Sequence, residues 1–178
     1  MPKHLEKKSE EILHQNPWST YKHDRYIKPN GEEGDYFYME ILGGSAMVVA
    51  IMPNGSIVLT LQHRYLVDKQ SIEFPAGRRK IGQTSLEVAK LELLEEAGCI
   101  ADEIIKIGVF ESSPSSIKDE IHVYLAYVSE QREQILDDTE EIELLYRRPD
   151  EVDEMIKNNE IFNGPTMAAW ALVRHHLM

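Results

Sequence analysis

Gly77-Arg-Arg-Lys-Ile-Gly-Gln83-Thr84-Ser-Leu86-Glu87-Val-Ala89-Lys-Leu91-Glu92-Leu93-Leu94-Glu95-Glu96-Ala97-Gly98-Cys99 carries most of what this chain discloses. A glycine turn follows Glu73-Phe74-Pro75-Ala76, and the spacing beyond it predicts one short helix. Thr84 and Glu87 stand three apart, the spacing of a capping box in which each side chain accepts from the other residue's backbone N–H. Gly98 supplies the stop, where a left-handed residue usually sits. Glu92, Glu95 and Glu96 fall at i, i+3 and i+4 and so share one side of the helix. Leu86, Ala89, Leu93, Leu94 and Ala97 fall on the other and are expected to pack on a core.

Three carboxylates in that pattern are electrically unfavourable unless something binds them. Like charges at i, i+4 cost roughly 0.2–0.5 kcal/mol per pair. Acids in the last turn also face the negative end of the helix dipole, a further penalty of roughly 0.3–1 kcal/mol each. A divalent cation reverses both terms, and hard cations such as Mg²⁺ take oxygen ligands. On charge spacing alone, a solvated acidic face fits equally well.

The whole stretch from Gly77 to Cys99 resembles the Nudix box of the Nudix hydrolase superfamily. The flanking residues narrow the resemblance to the ADP-ribose and nucleoside-diphosphate-sugar pyrophosphatase branch. Gln62-His63-Arg64-Tyr65 is similar to that branch's entry motif, and Glu73-Phe74-Pro75-Ala76-Gly77 to its approach to the box. Ser113-Pro114 stands where the branch carries a Ser-Pro pair, and Asp119-Glu120-Ile-His122-Val-Tyr124 resembles the strand that follows. Two box positions depart from the pattern: Gln83 replaces a glutamate, and Leu91 replaces an arginine that would pair with Glu95 one turn on. Both changes put rate in question rather than folding.

The resemblance implies Mg²⁺-dependent hydrolysis of the diphosphate of ADP-ribose to AMP and ribose 5-phosphate, with Mn²⁺ as a substitute. The alternatives it leaves are another nucleoside diphosphate sugar, or a nucleotide-binding module that has lost turnover. It makes Glu92 and Glu96 the main metal ligands, with the Ala76 carbonyl, and puts Glu95 and Glu140 behind them. Aligning the acidic loop Asp137-Asp138-Thr139-Glu140-Glu141 on Ile142 gives Asp138 and Glu140 the late catalytic places; a one-residue shift would promote Glu141. Arg64 is expected to grip a phosphate or to form a surface ion pair. Glu73 would accept ribose hydroxyls or cap a turn, and Ser113 and Glu120 would meet the distal sugar. Arg78-Arg79-Lys80 would counter phosphate charge or form a solvated loop.

Around the box, hydrophobic patterning predicts an α+β fold, which agrees with the α/β/α sandwich and mixed sheet that the resemblance implies. Residues 1–16 read as a polar, partly helical or frayed lead-in. Strands are expected over Tyr21 to Ile27 and Asp35 to Ile41 about a Pro29-Asn30-Gly31 turn, and over Ala46–Met52 and Ile57–Gln62 about Pro53-Asn54-Gly55. Further strands are expected at Ile104–Glu111, Ile121–Val128 and Ile142–Tyr146, with helices at Asp150–Lys157 and Pro165–Leu177. Residues 1–44 thus form an extension with a β-hairpin, which the resemblance assigns to homodimerisation, and residues 45–178 the hydrolase domain.

Composition bounds the rest. Of the 178 residues 42% are hydrophobic and 28% charged, the balance of an ordinary globular domain. A net charge of −12 opposes binding to bare nucleic acid. One cysteine excludes an internal disulfide, and Cys99 is expected to be a buried apolar residue. Absence of an apolar h-region and of a membrane-length run makes a cytoplasmic location and no membrane partner the expectation.

Overall fold

Five consecutive side chains, Ala46 to Ala50, are buried on strand β4 (Ser45–Ile51), so both faces of the sheet around it are covered. The computed structural model describes residues 1–2 and 4–177; Lys3 of the expected N-terminal lead-in and Met178 of the expected hydrolase domain lie outside the described residues. Three strands lead into β4: β1 (Glu6–Gln15), β2 (Ser19–Ile27) and β3 (Glu33–Ile41). After it come β5 (Ile57–Arg64), β6 (Lys69–Glu73), β7 (Ala76–Arg78) and the box helix α1 (Ser85–Ala97). β8 (Cys99–Phe110), β9 (Ile117–Lys118), β10 (Ile121–Gln131) and β11 (Ile142–Arg147) follow, then helices α2 (Pro149–Lys157) and α3 (Gly164–Val173). A 3-10 turn over Arg174–His176 ends the last helix short of the expected Leu177.

The central sheet runs β11-β5-β4-β10-β8, with β4 and β10 parallel and the other pairs antiparallel. One face carries Val49, Leu59, Phe74, Val123 and Leu125 against Val152 of α2 and Trp170 of α3. The other carries Ala46, Val48, Tyr124 and Ala126 against Val88, Leu93 and Ala97 of α1. This is the expected α/β/α layering with a mixed sheet, and the spacing of Trp170 and Val173 does mark core. Cys99 is buried as expected, and burial pushes its thiol up to about 11. Among the described residues, no helix is long and apolar enough to cross a membrane.

A split along one edge of β4 builds the site. Ala50 and Ile51 pair with β5, whereas Ser45 to Met47 pair with β7. Phe74-Pro75 crosses between the two, and the Pro75 carbonyl accepts from the Val48 N–H at 2.9 Å. Proline has no N–H to lose there. The short β6 and β7 come from this crossing, and the sequence reading missed both because their runs are too brief to show a period.

The N-terminal segment departs most from expectation. In place of a frayed or helical lead-in, β1 pairs antiparallel with β2 along its whole length. Cross-strand ion pairs hold it, Lys7 to Asp24 at 2.9 Å and Lys22 to Glu10 at 3.0 Å. The β2–β3 hairpin is as expected, and β3 pairs in parallel with β9, in the Ser-Pro loop. Tyr36 fixes that loop by donating to the Ser115 carbonyl at 2.6 Å.

Candidate active site

Helix α1 starts and stops as its sequence predicts. The Thr84 hydroxyl accepts from the Glu87 N–H at 3.2 Å and Glu87 accepts from the Thr84 N–H at 2.7 Å. Gly98 takes a left-handed φ of 63°, where an added Cβ would come within 2.2 Å of the Arg132 carbonyl oxygen. Only glycine meets both demands. Two details differ from expectation: Leu86 is exposed, and Val88 takes the buried place facing the sheet. Gln83 keeps the loop before the helix closed. Its amide oxygen accepts from the Lys80 N–H at 2.9 Å, a bond a glutamate would also make.

The three acids of α1 do not share one environment. At about 100° per residue, Glu92 and Glu96 stand only about 40° apart around the helix, while Glu95 is rotated away from both. Glu96 is 5% exposed and accepts from the Ala76 N–H at 2.9 Å. Glu92 is half-buried against Gly77, where an added Cβ would stand 1.7 Å from its Oε1. Any side chain at Gly77 would therefore displace the carboxylate. Burial, with Glu95, Glu140 and Asp137 nearby, pushes the Glu92 carboxyl up to about 7. Burial pushes Glu96 up to about 8, opposed by its bond from Ala76 and helped by Glu92 and Glu140. Acids raised this way are short of positive charge.

The segment after β10 caps this helix and aims the acidic loop. The last carbonyls of a helix lack intrahelical partners. Here the Glu95 carbonyl accepts from the Ile135 N–H at 2.9 Å and the Gly98 carbonyl from the Arg132 N–H at 2.7 Å. The Gln134 amide donates to the Glu96 carbonyl at 2.6 Å and to the Ile142 carbonyl at 3.2 Å. The loop beyond turns tightly, the Glu140 N–H bonding to the Asp137 carbonyl at 2.9 Å. Such a turn puts its first and last residues on one side and the middle pair at the tip. Accordingly Asp137 and Glu140 line a cleft with Glu92 and Glu96, while Asp138 and Glu141 do not. Asp137 is the acid that alignment on Ile142 passed over.

That cleft measures about 610 Å³. Its other walls hold the Arg78-Arg79-Lys80 run, Ile81 and, from the extension, Trp18 and Leu42. Trp18 is 62% exposed, and nothing in the sequence marked it out from other surface aromatics. Glu95 is not part of the lining. Arg64 and Glu73 form a two-pronged pair, Nε to Oε1 at 2.7 Å and Nη2 to Oε2 at 2.6 Å. The Arg64 guanidinium is held charged chiefly by Glu73 and also feels Glu96 and Glu140. Ser113 and Glu120 lie outside the cleft: the Ser113 hydroxyl pairs with Ser116 at 2.8 Å, and Glu120 lies 3.4 Å from His122 Nε2.

The donor set fits a hard dication in part. Glu92 and Glu96 converge on the cleft with Ala76 and Gly77 beside them, and their raised pKa values favour a cation. Among the described residues, no three His, Cys, Asp or Glu side chains are already gathered into a metal cage.

A box helix against a split mixed sheet, with acids converging beside Gly77, defines a Nudix hydrolase. The NUDIX domain model matches residues 41–170, and the chain belongs to that family. It is similar to the ADP-ribose pyrophosphatase of Bacillus subtilis (strain 168), 29% identical over 130 residues, covering 71% of this chain and 69% of that one. A methanol dehydrogenase activator of Bacillus methanolicus is 30% identical over 128 residues, with the same coverage of 71% and 69%. Among solved structures, the crystal structure of an ADP compounds hydrolase superposes with a TM-score of 0.84 at 17% identity, over 99% of this chain and 96% of that one, a likeness of fold.

Proposed function

We propose that this chain is a cytoplasmic pyrophosphatase that hydrolyses ADP-ribose to AMP and ribose 5-phosphate. Mg²⁺, or Mn²⁺ in its place, would be held by Glu92 and Glu96, with the Ala76 carbonyl and Glu140 completing the shell and Glu95, outside the cleft lining, as an orienting group. The observation that carries this reading is the buried Glu92–Glu96 pair, whose carboxyls are pushed up to about 7 and about 8 beside two further acids. When bound, the dications neutralise diphosphate charge and lower the pKa of a coordinated water.

The remaining work falls to the chain. The Ala76 N–H occupies one oxygen of Glu96 and leaves the other for the cleft. Gly77 leaves room for Glu92 to turn the same way. Glu140, exposed on its loop, takes the proton of the attacking water as general base, with Asp137, in place of Asp138, the second acid of that loop beside the cleft. Water adds its oxygen to one phosphorus, the bridging P–O bond breaks, and each half leaves as a monophosphate. Glu73 fixes the Arg64 fork so that its remaining N–H groups can take a phosphate oxygen. The exposed indole of Trp18 offers a stacking face to a base. Ser113 and Glu120 would meet the distal sugar only if their loop moved inward, which leaves another nucleoside diphosphate sugar as the rival substrate.

The same reading takes residues 1–44 as a homodimerisation segment, supported by the exposed Ile12, Leu13, Phe37 and Met39. The test of function is release of monophosphate from a panel of nucleoside diphosphate sugars with Mg²⁺. ADP-ribose should lead the panel, and Glu96→Gln should lower kcat by about 10²–10³-fold, as loss of a principal transition-state stabiliser does. Absence of turnover on every diphosphate would end the reading.

A further inference from the structure

In this acidic chain most lysines and arginines stand within salt-bridge distance of a carboxylate, as Lys7, Lys22, Arg64, Lys118 and Arg148 do. Arg78, Arg79 and Lys80 have no such partner among the described residues, yet all three line the cleft that holds Glu92, Glu96, Asp137 and Glu140. The Arg79 Nε donates to the Gly43 carbonyl, which anchors the run under the extension. Arg78 also lines, with Trp18, the neighbouring cavity against Met39 and Leu66, so this cation and this aromatic ring border the same two cavities.

We propose that Arg78, Arg79 and Lys80 form an anion subsite for a phosphate additional to the diphosphate, carried on the ribose of the nucleoside half. The inference rests on the cleft being the substrate site. Two dications would neutralise the four acids of the cleft, and a diphosphate bridge brings one negative charge on each phosphorus. Three unpaired cations therefore exceed what the bridge alone requires. A monoester phosphate brings about −1.5 to −2 at neutral pH, and arginine meets it with a planar fork. Its place follows from Trp18: a base stacked on that ring puts its own ribose next to Arg78, whereas the distal sugar would lie beyond the acids. The same cleft would then bind an ADP-ribose phosphorylated at the 2′ or 3′ position of its adenosine more tightly than ADP-ribose itself.

The test uses full-length protein with Mg²⁺ present, since neither AMP nor a nucleoside bisphosphate carries a diphosphate to be cut. Calorimetry compares AMP with adenosine 2′,5′-bisphosphate and adenosine 3′,5′-bisphosphate, for wild type, Arg78→Ala, Lys80→Ala and the control Lys90→Ala on the exposed outside of α1. One bisphosphate should bind at least about tenfold more tightly than AMP, as a charge-assisted contact worth about 1.4 kcal/mol gives. That ratio should fall toward one in Arg78→Ala and Lys80→Ala and persist in Lys90→Ala. Equal binding of AMP and both bisphosphates to wild type, or a ratio untouched by both variants, overturns the subsite. Hydrolysis of ADP-ribose, followed separately, reports on the proposed reaction: its absence with the bisphosphate preference intact refutes the reaction and leaves the subsite standing.

Discussion

β4 and β1 are both paired along their length, but they are stable for opposite reasons. β4 is buried from Ala46 to Ala50 and sandwiched between two apolar clusters. Every side chain of β1 is exposed, and its sheet leans on ion pairs and on its seam with the Ser-Pro loop. One face of that small sheet carries the Lys22–Glu40–Lys118 chain of charges and Asp24. The other carries Tyr21, His23, Phe37 and Met39, with His23 stacked on Phe37 at 4.4 Å and three of the four strongly exposed. The core sheet is complete in one chain, whereas the extension presents an aromatic face that only a further surface would cover.

The largest effect that would break this contrast is a pair of truncations. Phe74 is fully buried and packs on Trp170 at 6.2 Å, so Phe74→Ala should cost about 3–5 kcal/mol in urea unfolding. Phe37 is 50% exposed, and Phe37→Ala should stay within about 0.5 kcal/mol at concentrations where the protein is monomeric. Equal losses from the two would erase the distinction between the sheets.

Next in size is the pH response of the core's buried acids. Folded Glu92 and Glu96 have pKa values raised to about 7 and about 8 from an ordinary 4.5, so the folded state holds protons the unfolded chain releases. Their favourable protonated state is intact below about pH 4.5 and is lost as pH climbs from there to about 8, with the larger share from Glu96, the more deeply buried of the two. Melting of metal-free protein should therefore soften across that window. Glu96→Gln should flatten the profile, and added Mg²⁺ should restore stability at the alkaline end. A profile unchanged by either treatment would mean that these acids are not desolvated.

The extension should answer to association instead of pH at this site. Phe37→Glu and Met39→Glu put charge on the open face and should weaken dimerisation by tenfold or more, about 1.4 kcal/mol, in light scattering across a dilution series. Urea unfolding of the core should not change. A wild-type protein monomeric at high concentration would show that nothing covers this face.

Legibility followed the same divide. The box helix, both hairpins and the strands beginning at Ile57, Ile121 and Ile142 were readable because burial on a core writes a period into the sequence. β1 was not, since a strand exposed along its whole length has no apolar alternation to read. Within the site, spacing put Glu92, Glu95 and Glu96 on one side of the helix and the resemblance of the box singled out Glu92 and Glu96, but the turn that selects Asp137 over Asp138 depends on the Glu140 N–H bond and the Gln134 anchor. Trp18 is also invisible to local patterning, because it reaches the cleft only through the tertiary seat of the extension.

The smallest effect tests how far the box departures matter. Leu91 is exposed on α1 one turn before Glu95, and Glu95 has no salt-bridge partner among the described residues and stands outside the cleft lining. Leu91→Arg would supply an i, i+4 partner, worth about 0.2–0.5 kcal/mol in stability and reduced by salt. Turnover should rise by no more than about twofold, within the range that such a surface pair can shift an orientation. The reason is geometric: Glu96 is already held by the Ala76 N–H and Glu92 by its packing on Gly77, so the missing arginine leaves only Glu95 unrestrained. A rise of a hundredfold in kcat for Leu91→Arg would instead make Glu95 a principal ligand. The natural protein would then be chiefly a nucleotide binder, with its core sheet retained and its chemistry lost at one position.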